Sequence, residues 1–346
     1  MMKGVLCFML YAGSCHMKLK DFNRLKRPIA ILSILATLLG AIFYGGLFYL
    51  LSSVLNLGFT LPVCLMFGSI VAPTDPIAAT SILNKFGLPK DISFLIESES
   101  LLNDGVGVAL FVCFSGMVTA TESAGFFTVL FRELFGAVAV GIVVTAVCFH
   151  IFYRTEDVGR QIFCSILSVS LAYVICEKLE FSGAIASVVC GVLYSALRNH
   201  FELKGKVWHL EDFDTFWGIL DNMLNSILYV ILGLSFINIL RTPYVIAVAA
   251  GAIICNLLGR GGSVAICSLI MGPIPDGFKK WDFIKLMTWG GLRGALCIAL
   301  AMSTKPMIPG KTYAIIMGGT YAVVAFTTII QGMTMKKVYN GIKKEK

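Results

Sequence analysis

Stretches of about twenty apolar residues recur along this chain with only short polar segments between them, and few folds fit that pattern. A helix of about 20 apolar residues spans the hydrocarbon core of a bilayer. Eleven such stretches can be placed, roughly at 3–16, 28–55, 59–82, 93–119, 126–152, 159–177, 181–197, 214–239, 243–271, 284–304 and 311–335. Inside lipid every backbone polar group must be satisfied within the structure, so segments of this length read as helices. Of 346 residues, 57% are hydrophobic and 14% charged, against about 45–50% and about 25% in a soluble domain. The mean hydropathy of +0.84 agrees. The expected fold is an all-α polytopic membrane protein of about eleven transmembrane helices, a single transmembrane domain over 1–346.

A net charge of +8 would point to nucleic acid in a soluble chain, but its distribution points to a membrane. When the loops are assigned alternately to two sides, one side holds Lys18, Lys20, Arg24, Lys26, Arg27, Lys85, Lys90, Arg154, Arg160, Arg198, Lys204 and Lys206. The same side takes Lys279, Lys280, Lys285 and the tail lysines Lys336, Lys337, Lys343, Lys344 and Lys346, which makes 20 basic residues. The other side holds 4, Lys178, Arg241, Lys305 and Lys311. The positive-inside rule makes the first side cytoplasmic, so the C-terminus is expected inside, in a plasma (inner) membrane, with lipid rather than nucleic acid as surroundings. No polar stretch is long enough to fold as a soluble domain. The longest, 198–213, contains Trp208 and Phe213 and reads as a cytoplasmic linker with an interfacial helix. It separates a first half, 1–197, from a second half, 214–335, and a short basic cytoplasmic tail follows at 336–346.

The eleven cysteines lie mostly in apolar stretches, with no CxxC pair and no histidine at metal spacing, and read as small buried hydrophobes. His16, His150, His200 and His209 fall near span ends or in loops. No Ala-x-Ala-like cleavage site precedes the first basic loop. No glycine-rich phosphate loop ending in Lys-Ser/Thr is present, so neither ATP nor any cofactor is expected.

Two spans carry helix breakers. In 59–82 the break is Pro73-Thr74-Asp75-Pro76, with an acid between two prolines; in 284–304 it is Gly290-Gly291-Leu292-Arg293-Gly294. Interrupted helices at matching places in two halves point to a transporter with inverted repeats and a binding site at the breaks. The glycines alone would equally serve close helix packing; Arg293 beside them favours a functional crossing. The second feature is Glu97-Ser98-Glu99-Ser100-Leu101-Leu102-Asn103-Asp104, which runs directly into an apolar segment. A charge there costs at least ~2.5–3.5 kcal/mol, so an acid kept in a span is a functional-site candidate. Ser100 and Asp104, at i and i+4, share a helical face with Asn103 beside them. With Thr74 and Asp75 from the broken span they can form an oxygen cage for a hard cation. Burial disfavours the charged form of Asp104, so this carboxyl can hold either a proton or a cation.

Buried charges occur paired. Arg260 lies about seventeen residues into its span, so it either pairs with Glu99 or snorkels to the headgroups. Glu97 is expected near water, Asp221 at a solvated helix end or gate, and Glu133 in a local pair with Arg132.

The three motifs together, Pro73-Thr74-Asp75-Pro76, Glu97 to Asp104, and Trp289-Gly290-Gly291-Leu292-Arg293-Gly294-Ala295, resemble those of the monovalent cation/proton antiporter-1 family over essentially the whole chain. That group holds the NhaP-like bacterial antiporters and the animal sodium/proton exchangers. The resemblance implies a homodimer with a core and a dimerisation domain, two crossed interrupted helices, and elevator-like alternating access. The transport it implies is Na+, K+ or Li+ in exchange for H+, serving pH homeostasis. Asp104 is then the exchanging carboxylate and Ser100 and Thr74 are co-ligands, Thr74 through its main chain. Asp75 lies at the crossing, and Glu99–Arg260 is a structural ion pair. The Asn103-Asp104 pair is similar to that of electroneutral members, with one proton per cation. Family members carry about two further helices ahead of the first one here, so an N-terminal truncation is expected. Where some archaeal members carry a glutamate ligand, Leu10-Tyr11-Ala12-Gly13 offers Tyr11.

Two rival readings remain. A channel, or a truncated or inactive member of the family, is one. An intramembrane aspartyl protease, with Asp75 and Asp104 sharing a proton, is the other, although its characteristic Gly-x-Gly-Asp sequence is absent.

Overall fold

Proline, glycine and short polar turns punctuate the apolar stretches, and a helix forms between each pair of breaks. The computed structural model describes residues 2–16, 19–119, 126–202, 204, 210–236, 245–275 and 278–344. In chain order the helices are α1 (Met2–Ser14), α2 (Leu19–Ala30), α3 (Thr37–Val54), α4 (Leu61–Val71), α5 (Pro76–Lys85) and α6 (Lys90–Thr119). There follow α7 (Phe126–Arg154), α8 (Val158–Leu179), α9 (Gly183–Glu202), α10 (Leu210–Phe236) and α11 (Val245–Met271). The last are α12 (Lys280–Trp289), α13 (Ala295–Ser303), α14 (Gly310–Ala325) and α15 (Gly332–Lys344). A π-helical turn, Ile31–Ala36, joins α2 to α3, and a second, Phe326–Gln331, joins α14 to α15.

As far as they are described, the apolar stretches fall on helix, which in 59–82 and 284–304 is divided by a break. Six helical runs are long and apolar enough to cross a membrane alone: Phe22–Val54, Lys90–Thr119, Thr128–Arg154, Val158–Leu179, Ala247–Met271 and Gly310–Lys343. The short α1 and α4 are apolar but fall below that length. The figure of eleven spans therefore still rests on the sequence pattern.

Two compact units divide the chain, and both are discontinuous. One joins Met1–Arg24 to Ala124–Ile231; the other joins Leu25–Ser123 to Leu232–Lys346. They cut across the sequence halves, because each unit draws segments from both. In the first unit α9 packs against α1, α7 and α8. Its interior is aromatic: Tyr11 meets Trp217 at 4.5 Å and Tyr194 at 5.7 Å, and Trp217 Nε1 donates to Ser165 Oγ at 3.1 Å. In the second unit α3 packs on α4 and α11, α4 on α6, and α13 on both α4 and α14. The two half-helix pairs thus sit between full-length neighbours.

Two segments differ from the sequence reading. Arg198 lies within α9, and Phe213 and Asp214 within α10, so helix continues into both ends of the stretch read as a linker. Arg198 donates to Asp214 at 3.0 and 3.5 Å and lies over the Phe213 ring at 5.0 Å, so the polar residues there bind one another across the helix ends. Trp208 is outside the described residues. The basic tail is also helical. Tyr339 and Ile342 of α15 are buried, and Tyr339 Oη donates to the Gly87 carbonyl at 2.9 Å. Met335, Tyr339 and Ile342, at i, i+4 and i+7, form an apolar stripe that docks this helix while Lys336, Lys337 and Lys343 stay outside.

Candidate functional site

Pro73 lacks the N–H an α-helix needs, and proline disfavours helical backbone in the residue before it. Accordingly α4 ends at Val71, residues 72–75 have no regular structure, and α5 restarts at Pro76. Across from it, α12 ends at Trp289 and α13 begins at Ala295, with Gly290 to Gly294 between them. The two breaks meet: Asp75 N donates to the Leu292 carbonyl at 2.7 Å. The contact is close because Gly294 has no side chain; a Cβ there would stand 2.8 Å from Asp75 Oδ2.

Arg293 closes the other side of the crossing. Its Nη1 donates to the carbonyls of Ala72 and Pro73, the latter at 2.9 Å, and its Nε donates to Asn256 Oδ1 at 3.1 Å. The last carbonyls of a helix are unpaired and carry the negative end of its dipole. A guanidinium with a fixed fork of donors suits that position. Arg293 N donates to Thr327 Oγ1 at 3.0 Å, which ties the break to the π-turn behind it.

On α6 the acid cluster separates by depth. Glu97 is exposed and accepts from Ser93 Oγ at 3.2 Å. Glu99 is 1% exposed and takes both arms of Arg260, Nη1 to Oε1 at 2.9 Å and Nη2 to Oε2 at 3.1 Å. Arg260 Nε also donates to the Met287 carbonyl at 3.3 Å, so the pair reaches the last turn of α12. Asn103 Nδ2 donates to Glu99 Oε1 and to Thr74 Oγ1, each at 2.8 Å, while its Oδ1 accepts from Thr74 N at 3.2 Å. Both ends of that amide are therefore committed. Ser100 Oγ donates to the Thr74 carbonyl. Gly107, farther along α6, admits the Pro73 ring, whose Cγ would lie 2.3 Å from a Cβ there.

Asp104 differs from its neighbours. It is half-buried, and no hydrogen bond to its carboxylate is found among the described residues. The charged groups facing it are Asp75, Glu99 and Arg293. A small cavity at the crossing is lined by Thr74, Asp75, Glu99, Ser100, Arg260 and Gly290, among others.

The structure brings together Asp104, Asn103, Ser100, Thr74, Asp75, Glu99, Arg260 and Arg293, with Gly290 and Gly291 at the facing break. Tyr11 belongs to the other compact unit, where its ring packs as described. There Asp221 accepts from Asn225 Nδ2 at 3.2 Å, and Arg132 reaches Glu180 at 3.8 Å, a partner not foreseen from sequence. Asn256 and Thr327 were also missed. The available signal was an amide one helical turn before Arg260 in an otherwise apolar span.

A helical bundle with two opposed broken helices, an arginine at their ends and a carboxylate beside the crossing defines a secondary-transporter class. The chain belongs to the sodium/hydrogen exchanger transmembrane family, whose family model matches residues 1–341. It is similar to the Na(+)/H(+) antiporter NhaP of Pseudomonas aeruginosa, 28% identical over 360 residues, covering 100% of this chain and 82% of that protein. It is also similar to the Na(+)/H(+) antiporter NhaH of Halobacillus aidingensis, 30% identical over 323 residues, covering 90% of this chain and 75% of the relative. Among solved structures, that of the sodium proton antiporter MjNhaP1 from Methanocaldococcus jannaschii at pH 8 has the same fold. The TM-score is 0.82 at 20% identity, over 98% of this chain and 84% of that one.

Proposed function

We propose that this protein is a secondary active antiporter that exchanges a monovalent cation, Na+, K+ or Li+, for protons, with both competing at Asp104. One observation carries the reading. Asp104 is a carboxylate near the crossing to which no donor among the described residues is bound, while Ser100, Asn103, Thr74 and Glu99 are already committed to one another. A cation needs oxygen ligands that are free to turn towards it. Asp104 supplies such oxygens, Ser100 Oγ keeps its lone pairs because it donates to Thr74, and the Thr74 carbonyl has a second lone pair. Asn103 acts as a bracket that fixes Thr74 and Glu99 rather than as a ligand, and Asp75 steadies the crossing. Glu99 and Arg260 cancel each other's charge, which leaves Asp104 as the exchanging acid.

Family membership supports transport over the protease alternative. An amide at 103, where a second acid would alter the charge carried, supports electroneutral exchange of one proton per cation. The protein works as a homodimer in a plasma (inner) membrane with its C-terminus cytoplasmic. The experiment is exchange in everted vesicles: Na+ or Li+ added to acid-loaded vesicles should dissipate the pH gradient, and Asp104→Asn should abolish the response. Undiminished exchange in that variant would overturn the assignment.

A further inference from the structure

Behind the crossing lies a buried amide that the exchange mechanism does not use. Gln331 ends the π-turn Phe326–Gln331 and is 1% exposed. Neither its Oε1 nor its Nε2 has a partner among the described residues. A glutamine side chain brings two donors and an acceptor with two lone pairs. Each buried polar group left unmatched costs about 1–3 kcal/mol, and no bulk water is available inside a bilayer to relieve it. Interior amides are therefore partnered, and an unmatched one points to a small ligand.

The neighbours show which part of the protein Gln331 serves. About one helical turn before it, Thr327 Oγ1 accepts from Arg293 N, and Thr328 Oγ1 approaches the Arg293 carbonyl at 3.5 Å. About one turn after it, Met335 lies 3.7 Å from where a Gly290 Cβ would be, and Thr334 Oγ1 accepts from Trp289 Nε1 at 3.0 Å. Gln331 is thus bracketed by contacts to both ends of the unwound segment 290–293. Packing from other elements is loose at the next residue: Gly332 is buried, yet outside Gln331, Met333 and the adjoining helix backbone a Cβ built there would find nothing nearer than the Thr327 carbonyl at 3.9 Å. A π-turn is a frequent mark of a functional position in a helix.

We propose that Gln331 holds ordered water that bridges its amide to the unwound backbone of 290–293, a hydration site separate from the Asp104 cage. The chemistry of the amide selects the ligand. A cation would be held by Oε1 alone and would leave both N–H donors unmatched, whereas water both accepts from Nε2 and donates to Oε1. A buried water of this kind makes about three hydrogen bonds, enough to serve Nε2 and Oε1 and to reach one further group on the unwound backbone.

Radiolytic footprinting of the full chain in lipid nanodiscs tests this, because X-rays convert bound water to hydroxyl radicals in place and a neighbouring thioether traps them. Met335 is fully buried one turn from Gln331; Met317, also buried, lies earlier in the same helical run and sets the dry background. Met307, in the loop after α13, reports bulk solvent. In the wild type Met335 should oxidise well above Met317. Gln331→Leu should reduce it to the Met317 level without changing Met307, and Gln331→Asn should preserve it. Met335 no more reactive than Met317 in the wild type would overturn the proposal, as would labelling unaffected by Gln331→Leu. If the leucine variant fails to fold, the wild-type comparison still decides the question.

Discussion

On the proposed mechanism Asp104 accepts two ligands that cannot be present together, and that incompatibility suffices to couple their fluxes. If a proton and a cation compete for one carboxylate, the apparent cation affinity must follow proton activity by mass action. In proteoliposomes the apparent KM for Na+ or Li+ should rise about tenfold for each pH unit of acidification below the titration of that carboxyl, with little change in maximal rate. A KM flat with pH and a falling maximal rate would mean that the proton acts elsewhere. Asp104 stands out as a candidate in the sequence because a charge in an apolar run is conspicuous. The partners of Arg293 were not legible there, because two of them are backbone carbonyls, of Ala72 and Pro73, which every residue possesses. Likewise Asn103 was legible as a polar neighbour, but its direction, towards Thr74 and Glu99, depends on where α4 breaks.

Helices α6 and α11 are joined at this site by a buried ion pair, Glu99–Arg260, at 1% and 5% exposure. Removing one member of such a pair leaves an uncompensated charge in a low-dielectric interior, at a cost of about 3–5 kcal/mol. Removing both leaves none. Glu99→Gln and Arg260→Gln should therefore each lower the thermal unfolding midpoint in detergent more than the double variant does, a coupling that additive losses would rule out. Exchange activity should recover in part in the double variant, because Asp104 is then no longer next to a lone charge. One turn along α11, Asn256 holds Arg293, so the same helix face supports both sides of the crossing. At this scale the sequence was most readable where breakers occur: Pro73, Pro76 and the glycines from Gly290 located both interruptions. It was least readable at α15, where lysines drew attention and the buried stripe of Met335, Tyr339 and Ile342 did not.

Across the whole molecule, what remains to be fixed is which way the chain faces, and the loop charges argue it. Sorted by the eleven expected spans, twenty basic residues fall on one side against four on the other, a bias that a reversed orientation would place on the translocated side. The tail helix α15 strengthens the case, since Lys336 lies over the Phe86 ring at 4.7 Å and Tyr339 binds Gly87, so tail and 84–89 turn share one side. The cysteines make the orientation measurable without a cysteine-free background, because all eleven are free and buried. A membrane-impermeant maleimide should therefore react weakly with the parent protein. Lys337→Cys in the tail should react in everted vesicles but not in right-side-out ones, and Lys305→Cys, in the loop after α13, should show the opposite pattern. Both residues lie outside the site, so exchange should be retained and orientation can be scored on active protein. Labelling of both positions from the same side would mean that an odd number of crossings does not separate them. The broken pair α12/α13 and the run from α14 to α15 would then have to be redrawn, because only one net crossing between 305 and 337 is compatible with the charge sorting.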